Sequence, residues 1–316
     1  MVNEELIRAQ LKHVLDVTDY RFLGTRYQGK VRDSYTQGAV RYLITSDRLS
    51  CFDVVVSTIP FKGEVLNRIA LDWFERSKHI VPNHIIGAPD PNVMVVRECK
   101  ILPVEIVVRG YLAGSGWRDY AAGRPISGVT LPPGLKMSQK LPEVLLTPSI
   151  KAPSGEHDQP ISEAEIVQRG LVTNELWQRV REIAFALFEL GTRRAEQNGL
   201  ILVDTKYELG LVDGELILAD EIHTLDCSRY WVAQSYAENF ERGTPPEMLD
   251  KEPVRQWLLS QGYKGEGPIP NFSDERRSQI ARHYIASAER ILGATLTLHP
   301  GPVGDRVEQA LRAYSR

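Results

Sequence analysis

The sequence predicts a globular chain of mixed α and β structure, organised as two domains or one large two-layer unit. Three observations carry this. At 316 residues, 42% hydrophobic and 25% charged, the chain can bury a large core. Near the N-terminus, short runs rich in alternating apolar, β-branched and aromatic residues are separated by Gln28-Gly29 and Gln37-Gly38, the pattern of an antiparallel meander. Further along, apolar residues return at helical spacing over long stretches.

Taken in order, Leu6, Ile7, Leu11, Val14 and Leu15 mark a short amphipathic helix over 4–15. Residues 21–27, 31–35 and 40–45 read as the strands of the meander. Leu66, Ile69, Ala70, Trp73 and Phe74 then mark a helix, and 93–96 and 104–108 are strand-like. The segment 120–160 holds many of the prolines and glycines and reads mainly as ordered loop around a site. Ser162-Glu-Ala-Glu165 is a capping box, in which serine and glutamate satisfy each other's backbone N–H at a helix start. The longest helix spans 173–197, with Leu176, Trp177, Val180, Ile183, Ala184, Leu187 and Phe188 on its core stripe and Asn198-Gly199 as its stop. Another helix covers 273–292.

Composition excludes several roles. A net charge of −3 with scattered basic residues gives no field for nucleic acid. No stretch approaches the roughly 20 apolar residues of a membrane span, and the first residues lack the basic and apolar regions of a signal peptide. A cytoplasmic protein without a membrane or nucleic-acid partner is expected. Cys51, Cys99 and Cys227 have neither disulfide nor zinc-like spacing and read as reduced thiols.

Charge is concentrated in Asp204-Thr-Lys-Tyr-Glu208 and, beyond a turn, in Asp220-Glu-Ile-His-Thr-Leu-Asp-Cys-Ser-Arg229. Leu200-Ile-Leu-Val203 leads into Asp204, Lys206 and Glu208, which share one face because strand side chains repeat every two residues. Mg²⁺ takes hard oxygen ligands, usually one or two carboxylates with substrate phosphates, and Lys206 can offset phosphate charge. Asp220 joins that face if even-numbered residues pair with even-numbered ones across the Asp213-Gly214 turn. A plain two-residue loop would pair Val212 with Glu215 instead. The even register is the expectation.

Gly24-Thr-Arg-Tyr-Gln-Gly29-Lys30 meets the first seven positions of a P-loop, but Val31 stands where Ser or Thr would bind Mg²⁺, and a strand pattern follows where a helix should open. A glycine hairpin is expected, with Gly29 allowing backbone N–H groups near phosphate and Lys30 and Arg32 adding positive charge. In Arg109-Gly-Tyr-Leu-Ala-Gly-Ser115-Gly-Trp117, Arg109 offers a bidentate fork and Ser115 a hydroxyl for an anion. In Thr147-Pro-Ser-Ile-Lys151 and Gly155-Glu-His-Asp158, Lys151 and Asp158 are the functional candidates, and His157 is structural or supports the site from behind.

These motifs, with Gly29-Lys-Val-Arg-Asp-Ser-Tyr35, Thr45-Ser-Asp-Arg-Leu-Ser-Cys-Phe-Asp53 and Asp220 to Trp231, resemble the ordered set of the SAICAR synthetase (phosphoribosylaminoimidazole-succinocarboxamide synthase) family over about residues 21–260. The resemblance implies an α+β, ATP-grasp-like fold with two β-containing lobes and the nucleotide between them. It implies an N-terminal lobe over 1–118, carrying the antiparallel sheet and the hairpin for the ATP phosphates, and a C-terminal α/β lobe over 119–316 with the metal and substrate site. It implies an ATP-dependent carbon–nitrogen ligase of purine biosynthesis, joining L-aspartate to the carboxylated aminoimidazole ribotide (CAIR) through an acyl phosphate, in a monomer or small homo-oligomer without an appended carboxylase domain.

Residue by residue, the resemblance places Lys206, Asp158 and Asp204 at the chemistry, and Gly29, Lys30, Arg32, Lys206 and Glu208 at ATP. It places Glu208 and Asp220 on Mg²⁺, and Arg109, Ser115, Asp226, Ser228, Arg229 and Arg255 at the ribotide. Leu225, Ile150 and Gln159-Pro160 depart from the family's usual residues beside this site. A small-molecule kinase or a noncatalytic nucleotide-binding module would share the hairpin; the intact set Lys206, Glu208 and Asp220 favours the ligase.

Overall fold

The alternating N-terminal runs form a five-stranded antiparallel sheet in the computed structural model of the protein, which describes residues 4–151 and 158–315. In chain order, α1 (Glu4–Gln10) precedes β1 (Thr25–Gln28), β2 (Arg32–Gln37), β3 (Val40–Thr45), β4 (Arg48–Cys51) and β5 (Val54–Thr58). Helix α2 (Lys62–Ser77) leads to β6 (Ile85–Asp90), β7 (Val93–Arg97), β8 (Lys100–Ile101) and β9 (Val104–Tyr111), followed by α3 (Gly114–Ala121), β10 (Lys140–Leu146), β11 (Ser149–Ile150) and β12 (Gln159–Pro160). Then come α4 (Glu163–Gln168), α5 (Asn174–Gln197), β13 (Leu200–Val212), β14 (Glu215–Ala219) and β15 (Ser228–Val232), with α6 (Ala233–Arg242), α7 (Glu252–Ser260), α8 (Asp274–Leu292) and α9 (Val303–Tyr314) at the end.

Two compact units divide the chain. The first takes the described residues up to Phe74, His84–Glu98 and those from Leu249 onward; the second takes Glu75–Asn83 and the described part of Cys99–Met248. A single boundary at 118 does not describe this division. The C-terminal helices return to the first unit because α9 has an apolar face to bury: Val303, Val307 and Leu311 join Tyr35, Ile44, Val93 and Val95 in one core. No linear reading of charge or turn signals anticipates that return.

In the first unit the strand order is β1-β2-β3-β7-β6, with β4 and β5 forming a separate hairpin. In the second, the path β12-β11-β9-β13-β14 is extended by β10 on β9 and by β8 and β15 on β13. Helix α5 packs against β13, and Trp177, Val180, Ile183, Ala184, Leu187 and Phe188 of its expected stripe are buried, with Leu176 half-buried. The Ser162–Glu165 capping box is present at α4, and Thr173 caps α5 through the Leu176 N–H. Segment 120–160 carries more strand than expected, in β10 to β12, and α1 ends at Gln10, short of the expected residue 15. No helix among the described residues is long and apolar enough to cross a membrane.

The register of the β13–β14 hairpin corrects an expectation. Val212 pairs with Glu215 and Glu208 with Ala219, the plain two-residue loop. Asp213 and Gly214 both take left-handed conformations (φ 51° and 84°), giving the turn whose twist matches the flanking strands. The even register would have needed a longer or bulged loop. Asp220 therefore follows β14 as its first residue outside the ladder, itself left-handed at φ 64°.

Candidate active site

Strand β13 is the platform of the site in the second unit. It lies between β9 and both β14 and β15, and its period-two alternation puts Asp204, Lys206 and Glu208 on one face. Lys206 Nζ donates to Glu105 Oε1 at 2.6 Å, and Lys151 Nζ lies 2.5 Å from Glu208 Oε2. Burial alone would lower the Lys206 pKa, but the charges of Glu105, Glu208 and Asp220 overcome it and hold the ammonium above its ordinary range. Burial also raises the Glu105 pKa against the pull of Lys206, and Asp158 and Glu208 add to the rise. Four carboxylates thus act around two lysines, an acidic excess that a divalent cation would neutralise.

Asp220 is felt at Lys206 although the ladder register excludes it from the shared face. Its position past the strand end, in a left-handed conformation, frees it from strand alternation. Among the described residues, no group of three His, Cys, Asp or Glu side chains is arranged to hold a metal. Glu208 and Asp220, whose charges both act on Lys206, are a donor pair of the kind that could hold Mg²⁺ with phosphate oxygens, because that ion is usually held by one or two carboxylates rather than a full protein cage. His157 lies outside the described residues.

Glu105 is a site residue the sequence reading passed over. The signal was available: a carboxylate sits inside the otherwise apolar run Val104 to Val108, and a charge there needs a partner.

A second cluster flanks the same strand. Asp204 is paired in the ladder with Arg109 of β9 on one side and Arg229 of β15 on the other. Arg109 Nη1 and Arg229 Nη1 both donate to Asp204 Oδ2, at 3.1 and 2.5 Å. Arg109 is further fixed by Thr147 Oγ1 at 2.8 Å and Ser115 Oγ at 2.9 Å. Gly114, at φ 55°, lies against Arg229 so closely that a Cβ there would fall 2.3 Å from Nη2. Two guanidinium groups are thus gathered on one carboxylate beside a hydroxyl, the kind of donor set that suits an anion.

Ser228 does not join it. Neighbouring Arg229 on β15, it faces the other way, is buried, and shares a hydrogen bond with Thr205 Oγ1 at 2.7 Å. Asp226 lies in the turn before β15, where its N–H donates to Thr224 Oγ1 at 3.2 Å.

The remaining candidates are in the first unit. The Gly29 N–H donates to Arg32 O at 2.8 Å, closing the β1–β2 loop, so this N–H is not the one offered to phosphate. Gly29 does not take a left-handed φ; a Cβ there would approach Arg32 O to 3.0 Å. Lys30 is ion-paired with Asp53, and Arg32 opens β2 opposite Thr45. Arg255, on α7, pairs with Glu252 at 3.3 Å.

Cys51, Cys99 and Cys227 are free thiols. Burial pushes the Cys227 thiol up to about 12, far from a reactive thiolate.

The family model described as SAICAR synthetase matches residues 25–270. The chain is 45% identical over 294 residues to phosphoribosylaminoimidazole-succinocarboxamide synthase of Legionella pneumophila (strain Lens), covering 90% of this chain and 93% of that protein. It is 43% identical over 308 residues to the protein of the same name from Bacteroides fragilis, covering 95% and 98%. Among solved structures, SAICAR synthase from Saccharomyces cerevisiae complexed with SAICAR superposes with a TM-score of 0.79 at 29% identity, over 90% of this chain and all of that one. On the extent of these matches and the motifs that carry them, the chain belongs to the SAICAR synthetase family.

Proposed function

We propose that the chain, a ligase of purine biosynthesis by family, joins L-aspartate to the carboxylate of CAIR with ATP as the energy source, giving SAICAR, ADP and phosphate. The observation that carries this reading is the single strand β13, which presents an anion-binding arginine pair at Asp204 and a lysine ringed by carboxylates two residues further on. Two residues of strand span about 7 Å, the scale on which a ribotide separates its phosphate from its ring.

Arg109, Arg229 and Ser115 hold the ribotide phosphate, and Asp204 orients both guanidinium groups. Asp226 and Arg255 are assigned to the same substrate on resemblance alone, and Ser228 supports the cluster from behind through Thr205. A carboxylate cannot expel oxide, so a CAIR carboxylate oxygen attacks the γ-phosphorus and ADP departs. The aspartate amine then attacks the acyl carbon, phosphate leaves, and the amine loses its proton. Lys206, kept protonated by its acidic neighbours, stabilises charge on the transferred group, and Glu105 fixes its position. Glu208 and Asp220 hold Mg²⁺, which neutralises phosphate charge when bound. Asp158, exposed and near enough for its charge to act on Glu105, is assigned to the reacting groups on resemblance. The loop that Gly29 closes, with the Lys30 and Arg32 side chains, takes the ATP phosphates. The yeast relative's complex with SAICAR supports the product assignment.

The test is ADP release from Mg-ATP and CAIR with and without L-aspartate, alongside SAICAR formation. Release and product that both require aspartate are expected. ADP formed equally without aspartate would replace the ligase with a kinase.

A further inference from the structure

The motif Thr45 to Asp53 has no role in the reading above, yet its arginine is among the most constrained side chains of the first unit. Arg48 is 2% exposed. Its Nε donates to Lys30 O at 2.9 Å, its Nη2 to Gly29 O at 3.0 Å and to Asp33 Oδ1 at 2.6 Å, and its Nη1 to Asp16 O. Asp33 is itself fully buried. Burial works against its ionisation, but the Thr18 N–H and hydroxyl and Arg48 prevail and keep its pKa below the usual carboxylate range. The next loop carbonyl, Val31 O, accepts from the Ser46 N–H at 2.9 Å and from Ser46 Oγ at 2.8 Å. All three carbonyls of the β1–β2 loop are therefore tied to the segment Ser46–Arg48.

In a planar trans peptide the C=O and the N–H that follows it point in opposite directions. Fixing the Gly29 and Lys30 carbonyls on Arg48 therefore turns the N–H groups of Lys30 and Val31 the other way. Among the described residues, neither of these N–H groups has an acceptor. Adjacent outward N–H groups beside a lysine form an anion-binding nest.

We propose that Arg48, oriented by Asp33, is the positioning residue that aims the Lys30 and Val31 N–H groups at the polyphosphate of the nucleotide. This rests on the reading that the glycine hairpin binds ATP. It also reassigns the recognition from Gly29, whose N–H is used within the turn, to its two successors.

In ¹⁵N-labelled wild-type protein, Mg-ADP should move the Lys30 and Val31 amide signals; ADP binding that leaves both unmoved overturns the proposal. Arg48→Lys keeps a cation against Asp33 but lacks the planar fork that spans two carbonyls. Its KM for ATP should rise about tenfold while its KM for CAIR stays within about twofold. An unchanged ATP KM sinks the proposal, as does an equal rise in both constants with a lowered melting temperature, the signature of a merely structural arginine. Lys30→Ala isolates the underlying reading. Unchanged ATP affinity there removes the phosphates from the hairpin altogether, whereas a loss in Lys30→Ala with none in Arg48→Lys sinks only the part assigned to Arg48. Should Arg48→Lys fail to fold, the wild-type amide shifts decide.

Discussion

Arg109 and Asp204 face each other across the β9–β13 ladder, and the arginine donates to the carboxylate at 3.1 Å. The contact is almost wholly buried, with side-chain exposures of 9% and 6%. Arg229 reaches the same oxygen from β15, so one carboxylate sets the spacing of two guanidinium groups. Asp204→Asn keeps the shape but removes the charge. It should destabilise the fold by about 3 kcal/mol and raise the ribotide KM about tenfold, with a smaller effect on the ATP KM. Denaturant titration and steady-state kinetics read both; a normal ribotide KM in the folded variant would detach Asp204 from the anion site.

Gly114 is required by its neighbour as well as by its own backbone. A Cβ at φ 55° would strain the chain and fall 2.3 Å from Arg229 Nη2. Gly114→Ala should push the guanidinium off Asp204 and weaken ribotide binding about tenfold, leaving the Mg²⁺ dependence of turnover as in wild type. Equal KM values for the ribotide in variant and wild type would show that Arg229 can move aside at no cost to the site.

The charge of Asp220 acts on Lys206 from outside the ladder. Asp220→Asn should still fold, because the residue closes no strand pairing, and should need much more Mg²⁺ for turnover, with kcat lower by about a hundredfold. A wild-type Mg²⁺ titration curve in this variant would remove Asp220 from the metal site.

Acid should destabilise the second unit through His223. The ring is fully buried, its Nε2 lies 3.0 Å from Tyr207 Oη, and burial lowers its pKa from 6.5 to about 3. Between those values the unfolded chain binds a proton that the native protein refuses, so this contribution is complete above the unfolded pKa and is lost as pH falls. From about pH 7 to about pH 5 the loss is about 2 kcal/mol. Asp47 in the first unit acts oppositely. Burial raises its pKa from 3.8 to about 6, the native state holds the proton longer, and its contribution grows as pH falls through that window. His223→Gln should therefore lose less stability than wild type over the same pH change, by about 2 kcal/mol in urea unfolding. Parallel pH dependences would mean that His223 titrates in the native protein as it does in the unfolded chain.

The sequence by itself determined much of this protein. The stripe of α5, the capping box of α4, the meander β1 to β3 and the ordered motifs that place the chain in its family are local patterns, set by side-chain periodicity and backbone chemistry within a few residues. The face shared by Asp204, Lys206 and Glu208 was legible for the same reason. What only the tertiary structure decided depends on partners far apart in sequence. The return of α9 to the first core depends on distant apolar faces finding each other. The pairing of Lys206 with Glu105 and the convergence of Arg109 and Arg229 on Asp204 depend on which strands lie beside β13. The register of the β13–β14 hairpin departs from the even pairing that metal chemistry favours, because the Asp213-Gly214 loop fixes strand pairing. Arg48 carried no local signal of its task, since turning a loop's carbonyls inward becomes visible only when residues 29, 33 and 48 are seen together.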